Sequence, residues 1–228
     1  VIAKDSGAYN PDGDGIFADN QYGGDLTISV ASVTGNNKGI SANTLATTGA
    51  LTITATGVVS GINREGIDAY NGGTNLTIAA YKVLGGITAN NYGSGALSIT
   101  TTGEVTEAIV ARNQSGTSLT INAAQVSGQV AAYQNGTGAL SITASGDVTA
   151  PLGDAINARN EGTALTISAA YVTGYATGIN ATNNGSGALS ITATGAVSGG
   201  WNYDSIYAKN NATGTDLTIA AASVSGGY

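Results

Sequence analysis

The chain has 228 residues; 42% are hydrophobic, 35 are glycine and 9% are charged, with 14 Asp and Glu against 7 Lys and Arg. This acidic, charge-poor balance excludes the usual nucleic-acid partner, which is held by clustered Lys and Arg neutralising phosphates. Cysteine, histidine and methionine are absent, so disulfides, thiolate metal sites and Ser–His or Cys–His nucleophile pairs are excluded as well.

One phrase returns along the chain: a β-branched residue, Ala, Asn, a Gly-rich break, then Leu-Thr-Ile or Leu-Ser-Ile. The leucines are Leu26, Leu51, Leu76, Leu97, Leu119, Leu140, Leu165, Leu189 and Leu217, separated by 21 to 28 residues. A period of about 24 residues is the mark of one supersecondary unit stacked on copies of itself. The regular aliphatic positions argue against disorder despite the glycine content.

Within a unit the spacing of apolar residues is two. Gly66-Ile67-Asp68-Ala69-Tyr70-Asn71 alternates, with Ile67, Ala69 and Asn71 on one face and Asp68 and Tyr70 on the other. Gly72-Gly73 breaks the strand, Leu76-Thr77-Ile78 begins a second, Val83 carries a short third, and Gly85-Gly86 turns into the next coil. A helical reading fails on both spacing and composition. The sequence therefore predicts an all-β, single-stranded parallel β-helix spanning 1–228, with three short strands per coil. Coils of variable length above twenty residues fit the right-handed form.

Three inward columns follow in chain order. The first is Val1, Ile16, Ile40, Ile67, Ile87, Ile109, Val130, Ile156, Ile179 and Ile206; the second is the leucines with the Ile two residues on; the third runs from Val33 to Val224. A further column reads Asn20, Thr44, Asn71, Asn91, Asn113, Gln134, Asn160, Asn183 and Asn210, expected to form a structural amide ladder. Coils alternate between reaching their valine eight residues after the leucine and reaching it after seven, so the repeat is a pair of coils. Asp14, Glu65, Glu107, Asp154 and Asp204 fall two residues before a first-column Ile in alternate coils.

Several features are candidates for function. Asp68 near Arg112, and Asp154 near Arg159, are the nearest approach to the paired groups of a polysaccharide-active β-helix, and a decorated polar face is the plainer account. The chain is expected not to be an enzyme and to need no cofactor. Asp12, Asp14 and Asp19 crowd oxygen ligands at the first loop, where a calcium ion is one reading and an Asp-Gly turn the other. The outward Thr and Ser of the Leu-x-Ile strands form a grid similar to the ice-binding face of some β-helical antifreeze proteins, interrupted by Ala and Asn. Tyr70, Tyr133 and Tyr207 on the first strand, Tyr81 and Tyr171 before third-strand valines, and Trp201 and Tyr203 ahead of Ile206 supply the large apolar outer surface, a candidate adhesive face.

The phrases Gly66-Ile67-Asp68-Ala69-Tyr70-Asn71, Ala108-Ile109-Val110-Ala111-Arg112-Asn113 and Gly187-Ala188-Leu189-Ser190-Ile191-Thr192-Ala193-Thr194-Gly195 resemble the repeats of bacterial autotransporter (type V secreted) passenger domains, over essentially the whole chain. The resemblance implies a right-handed β-helix displayed on the bacterial cell surface, exported through the outer membrane by a C-terminal β-barrel translocator. It implies a stalk or adhesin, with host or bacterial surface glycans or proteins, or further copies of the chain, as partners. The chain opens and closes in mid-pattern, with no signal peptide and no apolar run near 18 residues. It is read as a segment of a longer passenger domain, itself outside the membrane and exposing strand edges suited to end-to-end association.

Overall fold

The computed structural model describes residues 13–227. In it the backbone winds as a right-handed parallel β-helix of nine coils, the usual hand where one strand returns parallel to the last. One sheet stacks nine five-residue strands, from Ile16–Asn20 through Ile67–Asn71 and Ile109–Asn113 to Ile206–Asn210. Every pairing is parallel and in strict register, so Ile16, Ile40, Ile67, Ile87, Ile109, Val130, Ile156, Ile179 and Ile206 lie one over another. Val1 lies outside the described residues. At a strand spacing of about 4.8 Å, nine rungs span about 38 Å.

The second sheet holds the nine leucines in one register column. Its valine segments belong to the same sheet. In six coils the Leu strand runs on through the valine as one strand, as in Leu51–Gly61 and Leu97–Val105, while in three it breaks, as between Leu140–Ala144 and Val148–Ala150. The corner separating the second and third strands of the sequence reading is thus gentle enough to keep its ladder.

Alternating coil length is absorbed at this corner. Ala123 pairs with Thr101 and Gln125 with Glu104, so the eight-residue coil inserts one extra residue against its seven-residue neighbour. Ala55/Val58 against Ala80/Lys82 repeats the pattern. Such a bulge bends the strand without ending it. Each long coil carries a glycine here, at Gly57, Gly103, Gly146 and Gly195. A Cβ at Gly57 would come within 2.7 Å of the Ala31 carbonyl oxygen, which already accepts the Gly57 N–H at 2.5 Å.

Burial follows the columns. Ile40, Leu51, Ile53, Val59, Ile67 and Leu76, and their counterparts as far as Val197, are buried. Burying such a side chain contributes roughly 1.5–3 kcal/mol, and only because a neighbouring coil covers it. In the last described rung, Leu217, Ile219 and Val224 are about half exposed, as at any open stack end.

The first turn is held by the expected amide ladder. Asn71 Nδ2 donates to Asn91 Oδ1 at 2.8 Å, Asn91 to Asn113 at 2.9 Å, and Asn113 to Gln134 Oε1 at 2.8 Å. Asn160 donates to Asn183, and Asn183 to Asn210. The same amides satisfy turn carbonyls, Asn113 that of Ser118 and Asn183 that of Gly187. The ladder breaks twice. The longer Gln134 turns its amide toward the Thr117 carbonyl, and Thr44 leaves a buried hydroxyl with no partner. Beside the ladder the turn backbones nearly touch: a Cβ on Gly49, Gly73 or Gly93 would sit on the carbonyl oxygen of the glycine one coil earlier, as would one on Gly116 over Gly95. Close backbone approach is what demands glycine here.

Candidate functional site

The outer face of the first sheet presents two side-chain columns. One runs Phe17, Ser41, Asp68, Thr88, Val110; the other runs Asp19, Asn43, Tyr70, Asn90, Arg112, Tyr133, Arg159. Alternation alone predicted that Tyr70 and Tyr133 face outward, and they do. Arg112 lies over the Tyr133 ring, 5.3 Å from its centre, an attraction between cation and ring face. Tyr70 stacks on Tyr92, centroids 4.9 Å apart and planes 29° off parallel. Tyr92 was missed from sequence; it follows the ladder residue Asn91 and reaches back from the turn to the strand below. Tyr207 stands exposed on the eighth-to-ninth rung step, in register with Asn180.

The remaining aromatics lie elsewhere. Tyr81 and Tyr171 are exposed beside the bulged corner. The Tyr171 ring covers Gly195, where an added Cβ would fall 2.5 Å from Cε1, so this tyrosine shields a neighbouring coil's glycine. Trp201 and Tyr203 are exposed at the third turn, around Asn202, whose φ of 64° is left-handed. Exposed Tyr175 belongs to the same turn one coil earlier: its neighbour Ala176 accepts the Gly200 N–H at 2.7 Å. The seven sequence-selected aromatics therefore form three separate surfaces.

A groove of about 440 Å³ crosses the second described rung of the first sheet. Its floor is Ser41, Ala42 and Asn43; Phe17 stands on one side, Asp68 and Tyr70 on the other, and Leu45 at the turn. Phe17, Leu45 and Tyr92 are close to half exposed.

The charged groups take structural partners. Asp68 does not face Arg112; its Oδ2 accepts from Lys38 Nζ at 2.5 Å, because Lys38 leaves the preceding turn over the same column. Burial pulls the Lys38 ammonium down, yet the Asp68 hydrogen bond and charge, with Glu65 and Asp14 behind, hold it above its ordinary value. Arg159 pairs with Glu161 at 2.6 Å, not with Asp154. Asp154 instead accepts the Thr177 N–H at 3.0 Å and the Asn180 amide at 3.1 Å, capping the next coil's turn. Asp14 does the same for the Lys38 N–H. The hydrogen bond from Lys82, then that from Ser127, holds Glu104 below the usual carboxylate range, and the Asn184 amide followed by Arg159 does so for Glu161. Among the described residues no three carboxylates converge on a metal position, and Asp12 lies outside them.

On the second sheet Thr27, Thr52, Thr77, Ser98, Thr120, Ser141, Thr166, Ser190 and Thr218 form one unbroken hydroxyl column. The adjacent column carries Ala79, Asn122 and Ala220 among its Ser and Thr.

The geometry defines a parallel β-solenoid scaffold suited to structural, adhesive or ligand-presenting work. Among the described residues no helix is long and apolar enough to cross a membrane. No protein-family model, curated protein or solved structure matches the chain.

Proposed function

We propose that this chain is a stretch of a bacterial surface rod of the autotransporter passenger type, non-catalytic, exported by a C-terminal β-barrel and working by attachment to surface glycans or proteins. The observation carrying this reading is the register. The first sheet rises through nine rungs without one slipped pairing, and in the second the Leu column stays in register with shifts confined to the stretch from the bulged corner onward, giving a stiff spacer with an ordered side-chain array on each face. The use of Asp68, Asp154, Glu104 and Glu161 in ion pairs and turn caps supports a structural role for its carboxylates.

The test uses the producing bacterium and the purified chain together. Antibody raised to the chain should decorate intact cells, and beads coated with it should adhere to host or bacterial cells above uncoated beads. Unlabelled cells would end the surface assignment, and labelled cells with inert beads would end the adhesive one.

The unbroken hydroxyl column favours one second reading, an ice-binding face repeating at about 4.8 Å. Thermal hysteresis in a concentrated solution of the purified chain is its signature, and freezing without hysteresis excludes it.

A further inference from the structure

We infer that the groove across the first sheet is a binding site for a neutral oligosaccharide, held by the Phe17 and Tyr70 rings and the Ser41, Asn43 and Asp68 polar atoms. This deepens the adhesive reading by naming a ligand class for one face. The site arises from side-chain size in register. Phe17, Ser41 and Asp68 share one column, and Asp19, Asn43 and Tyr70 the other, so a rung with no large side chain lies between two rungs that each carry one ring, Phe17 in one column and Tyr70 in the other. The bounding rungs are two strand spacings apart, about 9.6 Å at the backbone, which leaves a slot for one flat ring. The groove's 440 Å³ lies in the range of small-molecule sites.

The lining selects the chemistry. Its walls are aromatic and its floor is polar, which suits a ligand with C–H faces and hydroxyl edges better than a purely aliphatic one. Tyr70 is braced from behind by Tyr92 at 4.9 Å, so its ring is set before a ligand arrives. Asp68 uses Oδ2 for Lys38, leaving Oδ1 without a protein partner and able to accept from a hydroxyl. The Ser41 hydroxyl is likewise unpaired, and Asn43 uses its Nδ2 on Asp19 while its carbonyl remains open. Lys38 cancels the charge of Asp68, while Asp19, held by the Asn43 and Gln21 amides, keeps the surroundings negative, which favours an uncharged sugar over a sialylated or sulfated one.

Isothermal titration calorimetry of the purified chain tests this, with maltotriose, cellotriose, triacetylchitotriose, mannotriose and lactose as probes and sialyllactose as the charged comparator. At least one neutral probe should bind in the millimolar range or tighter, and sialyllactose no tighter than lactose. Tyr70→Ala and Phe17→Ala should each weaken that binding between about threefold and tenfold, the worth of a ring contact. Leu152→Ala, exposed on a distant turn, should match the parent, and thermal melts establish that each variant is folded. Heat silence with every neutral probe, or binding that Tyr70→Ala and Phe17→Ala leave unchanged, overturns the inference. Since free sugars are used, this outcome is independent of whether coated beads adhere to cells.

Discussion

Asn91 and Asn113 are joined by a 2.9 Å side-chain hydrogen bond across the stack, with both residues fully buried. Asn113 also donates to Gln134 and to the Ser118 carbonyl. Replacing it with Ala strands one Asn91 amide N–H and the Gln134 carbonyl oxygen, while the Ser118 carbonyl keeps the Leu97 N–H and Asn91 keeps the Gly95 carbonyl. Each buried unsatisfied group costs about 1–3 kcal/mol. Asn113→Ala should therefore lower unfolding stability by about 2 kcal/mol or more, read as a lower urea midpoint. A midpoint unchanged from the parent would contradict the ladder's energetic role.

Two buried hydroxyls, on Thr44 and Thr101, have no partner. Thr44 lies in the ladder column directly below Asn71. Thr44→Asn should fill the missing rung and stabilise by about 1 kcal/mol, and Thr101→Val should gain a similar amount by removing an unmet polar group of equal shape. Thermal melts of the two variants decide both cases.

Gly116 and Gly24 separate the two uses of glycine. A Cβ on Gly116 meets the Gly95 carbonyl oxygen, whereas a Cβ on Gly24 would meet nothing within 4 Å. Gly116→Ala should cost about 3 kcal/mol through forced backbone displacement, and Gly24→Ala should stay within about 0.5 kcal/mol of the parent. Equal losses in the two would mean that the turns are not in near contact.

Stability should be flat across neutral pH, since the chain has no histidine. Glu104 and Glu161 are held below their ordinary range, so their contribution is present above about pH 4.3 and is lost as pH falls through their folded values. Lys38 is held above its ordinary value, so its contribution is complete below about pH 10.4 and disappears as pH rises through the folded value. Calorimetric Tm values between pH 3 and 11 should form a plateau with shoulders at both ends; a maximum confined to pH 6–7 would count against these assignments.

The inward columns were legible because period-two spacing and a recurring Leu-x-Ile phrase fix both face and register: Ile40, Leu51 and Val59 each stack as read. The ladder residues were legible for the same reason. What spacing could not supply was anything dependent on side-chain reach across the rungs. Lys38 crosses from a turn to Asp68, Tyr92 from a turn to Tyr70, and Arg112 swings over Tyr133. The groove escaped notice because it depends on short Ser41 and Asn43 lying between the Phe17 and Tyr70 rings of the adjacent rungs, a contrast visible only once the strands are stacked. The capping acids had a readable signal, an Asp two residues ahead of a strand whose turn N–H groups need acceptors.

Among the described residues each coil is bonded to the coil above and the coil below, by strand ladders, single amide contacts and a few ion pairs. Tension applied along such a chain has no cross-link to a distant segment to work against. It peels the end coil first, releasing roughly 80 Å of extended backbone per 24-residue turn before the next begins to yield. A tether built this way lengthens under load in repeated small steps and rewinds on the intact remainder when the load falls.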